Sequence, residues 1–200
     1  MKEVIWATEL YEYLRRCNES PLTKDVLDCG AGGTCPPLSL FHEYGYRTCG
    51  IEIAEPPLEQ ARRFCAENRM PLNIIGGDMR NIPFANHSFS FVYSYNAIDF
   101  MIKPDIAISM REITRVLRPQ GLCYVNFLSV DDAETWEPFC ETSSAWNLLK
   151  SDSFAHFEDD EADVYFGDFE VVRKEKRLID KLVDGRVFRR AEVEYIARKK

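Results

Sequence analysis

The segment DVLDCGAGG, residues 25–33, decides how this chain folds. An apolar run ends in an acid and a cluster of very small residues, a pattern typical of a buried parallel strand that turns into a ligand-binding loop. Side chains are nearly absent from residues 30–33, so a ligand could approach the backbone amides there. We therefore expect the first strand of an α/β sheet at 24–29, with a cofactor contact directly after it.

Helical and strand-like segments alternate around this stretch. Apolar spacing predicts an amphipathic helix over 3–16 that closes by Pro21. Pro36 and Pro56 each begin a proline pair that can open a helix, because proline loses no hydrogen bond in the first helical turn. The pattern predicts further helices at 38–44, 56–70 and 104–117, and strands at 46–53, 72–75, 89–95 and 122–128, the last of them after a turn at 119–121.

This alternation predicts parallel strands joined by right-handed helical crossovers. The C-terminal part differs, because Asp184-Gly185 separates two strand-like runs, 169–182 and 186–198, which is a strong hairpin signal. A short helix is expected over 158–166. The predicted fold class is α/β: a doubly wound, mostly parallel seven-stranded sheet with helices on both faces and an antiparallel C-terminal hairpin.

We expect one domain over residues 1–200, since 200 residues with 46% hydrophobic composition suffice for a single core. Residues 129–157 are polar and aromatic by turns and follow the carboxyl end of the fifth predicted strand. Ligands of open α/β sheets bind at that edge, so this segment is interpreted either as a lid over the substrate or as a packed helical excursion.

Composition and charge argue against several other classes of protein. No apolar run is long enough to cross a membrane, and the N-terminus carries acids where a signal peptide is apolar, so a cytoplasmic protein without membrane partners is expected. The net charge of −8 opposes nucleic-acid binding. The basic stretch 173–190 is interpreted as a solvated hairpin. Seven cysteines without a CxxC pair indicate neither a disulfide framework nor a metal site.

The glycine loop alone leaves two cofactors open. A dinucleotide-binding loop has the pattern G-x-G-x-x-G, and its third position is Cys35 here. Glu52 lies about twenty residues downstream, where an acid commonly binds ribose hydroxyls. A nicotinamide dinucleotide and S-adenosylmethionine both fit these residues.

Four longer segments carry a resemblance to a known family. In order and spacing they resemble the motifs of class I S-adenosylmethionine-dependent methyltransferases, above all the small-molecule branch related to the ubiquinone and menaquinone methyltransferases. The resemblance covers roughly half the chain and implies S-adenosylmethionine as cofactor and a small-molecule methyl acceptor. The four segments are VLDCGAGG (26–33), GIEIAE (50–55), GDMRNIPFANHSFSFVYSYNAIDF (77–100) and EITRVLRPQGLCYVNF (112–127).

The resemblance implies cofactor-binding roles in the first two segments. Asp28 would orient the loop and the amino-acid part of the cofactor, while Gly30, Ala31 and Gly32 would let the loop approach it. Glu52 would accept hydrogen bonds from both ribose hydroxyls, because a carboxylate offers two oxygens to two donors. Ile53 would pack on the adenine.

The third segment supplies the remaining implied contacts. Asp78 would accept a hydrogen bond from the adenine amine and the Met79 amide would donate to a ring nitrogen. Tyr95 and Asn96 would lie near the methionine moiety and the reactive methyl group. Each acid also has an ordinary structural reading, as a cap, a solvated strand end or a turn residue.

Two positions depart from the family pattern. The usual third loop glycine is Thr34 here, and Asp99-Phe100 stands where many relatives carry a histidine pair. Methyl transfer depends mainly on positioning and desolvation, so the sequence assigns no catalytic residue. Asp99 and His156 are candidates for a base by their placement only.

Three functional classes remain open on the sequence. They are a small-molecule methyltransferase, a nicotinamide-dependent oxidoreductase, and a catalytically silent S-adenosylmethionine-binding protein that acts through a partner. The segment SYNAIDF (94–100) lacks the Asn/Asp-Pro-Pro-aromatic signature of nucleic-acid aminomethyltransferases. The N-terminal aromatics Trp6, Tyr11 and Tyr13 fit either a helix closing over the cofactor or ordinary core packing. No oligomeric state can be inferred.

Overall fold

The computed structural model describes residues 8–132, 155–183 and 186–200. In these ranges four α-helices and eight strands alternate largely as predicted. The helices are α1 (Thr8–Glu19), α2 (Leu38–Glu43), α3 (Glu55–Asn68) and α4 (Lys103–Val116). The strands are β1 (Asp25–Cys29), β2 (Arg47–Glu52), β3 (Ile74–Gly76), β4 (Phe89–Ser94), β5 (Leu117–Ser129), β6 (His156–Phe157), β7 (Phe169–Val183) and β8 (Arg186–Lys199). Short 3₁₀ helices cover Ile98–Phe100 and Glu161–Phe166.

All strands join one sheet in the order β3-β2-β1-β4-β5-β8-β7, with β6 paired to β5. The pairs from β3 to β5 are parallel, whereas β8 is antiparallel to both β5 and β7. The doubly wound sheet with a C-terminal hairpin is thus confirmed. The chain runs outward from β1 to β3 and then returns to β4 beside β1. This reversal creates a crevice at the carboxyl ends of β1 and β4, where open α/β sheets bind ligands.

Each face of the sheet has its own buried core. One core contains Leu27, Val92 and Val125 beneath α4, and the other contains Val26, Phe91 and Tyr93 beneath α1 and α2. Tyr13 of α1 is fully buried in the second core, and its hydroxyl donates to the carbonyls of Val92 and Leu122 at 3.0 and 2.8 Å. Tyr13 therefore serves as a core residue.

Several predicted boundaries are wrong. Helix α1 continues to Glu19, beyond the predicted end at residue 16, and β3 starts at Ile74 rather than at residue 72. The turn at 119–121 is part of β5, which begins at Leu117 and pairs with β4 through an irregularity. Gly121 is needed there because a Cβ atom would lie 2.7 Å from the Ser90 carbonyl oxygen.

The sheet also has one strand more than the seven predicted, because His156–Phe157 adds a two-residue strand beside β5. Most of the candidate lid, 133–154, lies outside the described residues, as do Trp6 and the turn Asp184-Gly185. The predicted helix at 158–166 is a 3₁₀ helix over Glu161–Phe166. None of the helices that the structure describes could cross a bilayer.

The amino-terminal edge of the sheet is held by a polar network around Asp25. This carboxylate is 5% exposed and accepts hydrogen bonds from Thr23 Oγ1 at 2.8 Å, from Arg118 Nη1 at 2.8 Å and from the backbone amide of Ser90. Burial alone would raise the pKa of Asp25, but these donors outweigh it and hold the pKa below its usual value.

Basic residues of the stretch 173–190 form ion pairs with acidic residues. Lys174 contacts Asp160 and Asp163, while Arg189 contacts Asp180, with nitrogen–oxygen distances of 2.7 Å in each pair. These pairs favour a salt-bridged hairpin surface.

The six cysteines of the described ranges are free thiols, and those ranges hold no cluster of metal-ligating side chains.

Candidate functional site

The predicted cofactor residues lie at the carboxyl ends of four adjacent strands, β3, β2, β1 and β4. Asp28 lies in β1 opposite Gly50 of β2 and Tyr93 of β4, so it sits between the two strands that flank the crevice. Glu52 ends β2, and Asn96 lies two residues beyond the end of β4. The parallel register thus brings together residues that are far apart in sequence.

The loop after β1 does not offer its amides to a ligand. The amides of Gly30 and Ala31 donate to the Ile51 carbonyl at 2.9 and 3.0 Å. The Gly32 amide donates to Glu52 Oε2 at 3.1 Å and the Gly33 amide to the Pro57 carbonyl at 2.9 Å. Contrary to the expectation from sequence, these four donors are used to fasten the loop to β2 and α3.

The loop glycines are required by neighbouring protein atoms. Gly30 has a φ of 101°, and a Cβ atom there would lie 2.2 Å from the Ala97 Cβ. At Gly32 a Cβ atom would lie 2.5 Å from the Pro57 Cβ and 2.6 Å from Glu52 Oε2. A side chain at either position would push apart β1, β2 and the segment after β4, and would thereby deform the crevice.

Asp28 is a buried carboxyl group with an unused oxygen. It is 1% exposed, and no described residue forms a hydrogen bond to its Oδ2 atom. Burial raises its pKa to about 8; the neighbouring Tyr93 hydroxyl lowers this pKa, and the charge of Glu52 raises it further. A buried acceptor without a donor is costly in the free protein and is suited to a ligand that brings one.

Glu52 is held in place by backbone amides. Its Oε1 atom accepts from the Ala54 amide at 2.9 Å, and its Oε2 atom accepts from Gly32. Each carboxylate oxygen has a further lone pair, so two additional donors can bind. Ile53, the next residue, leaves 61% of its surface exposed and provides an apolar platform beside this carboxylate.

Asp78 is already engaged in an ion pair. The Arg80 guanidinium binds both carboxylate oxygens, with Nη2 2.7 Å from Oδ2, and also contacts Asp105 at 2.9 Å. Arg80 holds the pKa of Asp78 below its usual value. The structure thus supplies a partner that the sequence analysis did not foresee. Met79 is 8% exposed and packs in the core against Gly30.

Asn96 occupies the left-handed region, with φ 51°, at the point where the chain leaves β4. Its amide donates to Asn126 Oδ1 at 2.9 Å, and its side-chain oxygen accepts from Asn126 Nδ2 and from Arg190 Nη2. Asn126 also donates to Glu192 at 3.0 Å. Asn126, Arg190 and Glu192 were not predicted from the sequence, although an asparagine inside the apolar run LCYVNFL (122–128) was a usable signal.

The two residues considered as bases lie in different surroundings. Asp99 is 3% exposed, its Oδ1 atom accepts no hydrogen bond from a described residue, and Oδ2 lies 3.8 Å from Arg190 Nη2. Burial raises the pKa of Asp99 to about 7, although Arg190 counteracts it. His156 is half-buried on β6, and Thr34, the loop departure, is exposed.

These features fit an adenosine joined to an amino acid. The ribose hydroxyls are donors for Glu52, a ring can cover Ile53, and an ammonium group is a donor for the unused Asp28 oxygen. The residues at this crevice therefore match the chemistry of S-adenosylmethionine, with the unpaired Oδ2 of Asp28 as the most specific feature.

Comparisons with known proteins concern the family and the fold of the chain. A family model described as a methyltransferase domain matches residues 27–125, which run from β1 through most of β5. The S-adenosylmethionine-dependent methyltransferase structure from Methanosarcina mazei superposes with a TM-score of 0.63 at 19% identity, covering 92% of this chain and 96% of that one. At that identity the likeness concerns the fold.

Two curated relatives are similar over longer stretches of sequence. Methyltransferase GfsG from Streptomyces halstedii is 31% identical over 139 residues, which are 64% of this chain and 49% of the relative. The malonyl-[acyl-carrier protein] O-methyltransferase of Legionella pneumophila is 27% identical over 150 residues, 74% of this chain and 48% of the relative. The chain thus spans about half the length of these proteins.

Proposed function

Since the chain belongs to the class I S-adenosylmethionine-dependent methyltransferases, we propose that it transfers the methyl group of S-adenosylmethionine to a small-molecule acceptor. The observation that carries this proposal is the pair Asp28 and Glu52 at the crevice. One carboxyl group is buried with an unused oxygen, and the other is anchored with two free lone pairs.

In this proposal the cofactor residues keep the roles that the resemblance implied. Asp28 binds the amino-acid part, Glu52 both ribose hydroxyls, and Ile53 the adenine. Gly30, Ala31 and Gly32 provide the narrow loop, and Asp78 and Met79 bind the adenine edge. For Asp78 this requires sharing its carboxylate with Arg80. Tyr95 and Asn96 lie on the methionine side.

When bound, the cofactor supplies an activated methyl group on a sulfonium, whose positive charge disappears as the methyl group leaves. The protein supplies orientation and exclusion of water, which together account for large rate effects in such displacements. Asn96 is suited to orientation because Asn126 and Arg190 fix its side chain from two directions.

The acceptor is proposed to be a small molecule because the chain has a net charge of −8 and its basic hairpin residues are paired with acids. One relative is named as an O-methyltransferase. With half of that relative's length covered, its acceptor is not transferred to this chain.

Isothermal titration with S-adenosylmethionine and, separately, with NADH tests the cofactor. We expect saturable binding of S-adenosylmethionine and none of NADH. Tight NADH binding without S-adenosylmethionine binding would overturn the proposal and favour an oxidoreductase.

Transfer of isotope from methyl-labelled S-adenosylmethionine into a metabolite extract tests turnover. We expect a labelled product that depends on the protein. Binding of the cofactor without any labelled product would instead identify a silent binder, so the two experiments separate all three functional classes.

A further inference from the structure

A second group of polar side chains lies beside the cofactor crevice, on the sheet face covered by α1. Tyr93, Tyr124 and Ile196 share the core on that face. Strand side chains alternate between faces, so Tyr95, Glu192 and Glu194 project to the same side. The polar cluster comprises Glu9 of α1, Tyr95 after β4, Tyr124 of β5, and Glu192 and Glu194 of β8.

Contacts within the polar cluster show that its members lie together. The Tyr95 hydroxyl donates to Glu9 Oε2 at 3.3 Å, and the rings of Tyr95 and Tyr124 are 6.2 Å apart. Arg177 of β7 bridges two carboxyl groups, since it pairs with Glu9 and its Nε lies 3.5 Å from Glu194 Oε1. Helix α1 is thereby joined to the hairpin across the cluster.

Two buried side chains of the cluster have polar atoms without a hydrogen-bond partner among the described residues. Glu194 is 3% exposed, and neither of its carboxyl oxygens accepts a hydrogen bond from a described residue. The Tyr124 hydroxyl, on a residue that is 1% exposed, has no such partner either. Buried polar atoms are normally satisfied, so these atoms are suited to a ligand that carries donors.

Acids outnumber bases around this position. The carboxyl groups of Glu9, Glu192 and Glu194 belong to the cluster, and Glu175 of β7 and Asp99 face it from its borders. The facing cations are Arg173 and Arg177 of β7 and Arg190 of β8. Five carboxyl groups thus face three guanidinium groups, which favours a cationic ligand over an anionic one.

The polar cluster is continuous with the residues proposed to hold the methionine moiety. Tyr95 belongs to both groups, and Asn96, the next residue, is bound to Asn126, which contacts Glu192 of the cluster. A molecule in the cluster would therefore lie next to the part of the crevice where the methyl group is expected.

We propose that this cluster is the acceptor subsite and that it selects a primary or secondary amine, held through its N–H groups by Glu194 with Tyr124 and Glu9 alongside. This inference rests on the proposed methyltransferase function, whose substrate class it names.

An amine fits better than the other common acceptors. An ammonium group brings two or three donors to the Glu194 oxygens, which accept no hydrogen bond from described residues, whereas a hydroxyl brings one donor and a carboxylate brings none. Attack requires a neutral nitrogen, so the ammonium must first release a proton. Glu194 can accept that proton, because burial raises its pKa to about 7 against the lowering effect of Arg177. The carboxylate then becomes a neutral acid and the amine regains its lone pair.

The first test identifies the acceptor atom. A metabolite extract is treated with the N-hydroxysuccinimide ester of acetic acid, which acylates amines, then quenched and supplied with protein and methyl-labelled cofactor. We expect incorporation to fall at least tenfold relative to untreated extract, and the label to survive mild alkali. Undiminished incorporation, or release of the label as methanol from an ester, would overturn the amine assignment while leaving the methyltransferase function intact.

If no labelled methyl group were incorporated into untreated extract, the proposed methyltransferase function would be wrong, and so would the amine assignment that rests on it. Failure of the inference alone and failure of the function are thus distinguishable.

The second test concerns Glu194. We expect Glu194→Gln to lower methyl incorporation into the untreated extract at least tenfold and to leave the dissociation constant of S-adenosylmethionine, measured by titration, within twofold. The matched control is Glu170→Gln, an exposed acid on β7 paired with Arg198, which should change neither quantity. Normal incorporation by Glu194→Gln would overturn its role.

Tyr124→Phe provides a second variant should Glu194→Gln fail to fold. It removes only the unpartnered hydroxyl and keeps the ring in place. We expect a several-fold increase in KM for the amine whose labelled methyl product is identified in the first test, with unchanged cofactor affinity. An unchanged KM would contradict the placement of the amine.

Discussion

Two aspartates of the same strand, Asp25 and Asp28, show how the two edges of the sheet differ. Both are nearly inaccessible, at 5% and 1% exposure. At the amino-terminal edge Asp25 is surrounded by donors, and its pKa is lowered. At the carboxyl-terminal edge Asp28 has an oxygen without a partner, and burial raises its pKa to about 8. Asp25 is satisfied within the protein, whereas Asp28 keeps an oxygen that a ligand can use.

The contrast extends beyond β1. Arg118, Thr23 and Ser90 complete the amino-terminal network within the protein. At the other edge Asp99 and Glu194 also retain oxygens without hydrogen bonds from described residues. Unsatisfied buried acceptors cost stability, and these three carboxyl groups are available to bind donors of a ligand.

The largest expected effect is the pH dependence of Asp28→Asn. The folded state holds a proton on Asp28 up to about pH 8, whereas the unfolded chain releases it near pH 4. Wild-type stability therefore falls as pH rises between these values, by at most about 1.4 kcal/mol per pH unit. We expect Asp28→Asn to gain up to about 4 kcal/mol relative to wild type between pH 5 and pH 8, measured by urea unfolding.

Asp25→Asn is the control for this experiment. Because the pKa of Asp25 is lowered, its contribution is present above about pH 4 and is lost only as the pH falls further. The difference from wild type should be constant from pH 5 to pH 8. If the unfolding free energies of both variants, relative to wild type, changed with pH in the same way, the proposed difference between the two edges would be wrong.

The second effect is a loss of stability in Asp25→Ala. Removing this carboxylate leaves the Ser90 amide without its acceptor and Arg118 without its ion-pair partner, so the unfolding free energy should drop by about 3 kcal/mol, the lower end for a broken buried ion pair because Arg118 is part exposed. S-adenosylmethionine affinity of the folded fraction should not change. A selective loss of affinity would show that the amino-terminal edge also serves binding.

The third effect concerns Glu52→Ala, which removes the proposed ribose ligand. We expect the cofactor to bind more weakly by roughly 1–3 kcal/mol, the scale of hydrogen bonds to a charged group. Titration calorimetry measures it, with Glu59→Ala on the exposed side of α3 as the control. Unchanged affinity in a folded Glu52→Ala protein would contradict the ribose assignment.

The smallest effect is expected for Ile53→Ala. The side chain is 61% exposed, so its loss should scarcely alter unfolding. If adenine covers it, cofactor affinity should fall by about 1 kcal/mol, corresponding to the apolar surface lost from the contact. If Ile53→Ala changed the unfolding free energy but not the cofactor affinity, Ile53 would have a structural role and would not contact the adenine.

Much of the fold could be predicted from sequence because its signals are local. Helix-opening prolines, apolar runs of strand length and the Asp184-Gly185 dipeptide each act over a few residues. The failures occurred where a distant partner changed a local preference. Residues 119–121 read as a turn, yet they are part of β5, as an irregular stretch between Leu117 and Leu122, which pair with Phe89 and Phe91 of β4.

The candidate site likewise contains some residues that local sequence signals predict and others that only tertiary contacts bring in. The spacing from Asp28 to Glu52 and on to Asn96 could be recognised in the sequence because each lies at or just beyond the end of an apolar strand, and parallel strands place such ends at one edge. Arg190 and Glu194 could not be predicted from the sequence, since β8 lies beside β5 only after the hairpin has folded back.

By itself, the sequence determined the order of helices and strands, the narrow loop after β1 and the acids at the ends of two strands. Only the tertiary structure decided which acids are satisfied: Asp25 finds Arg118 across 93 residues, whereas Asp28 keeps an oxygen unpaired. It also decided that the loop amides donate hydrogen bonds to β2 and α3. The physical reason is that periodicity is a property of neighbours along the chain, while burial and hydrogen bonding depend on which strands finally lie side by side.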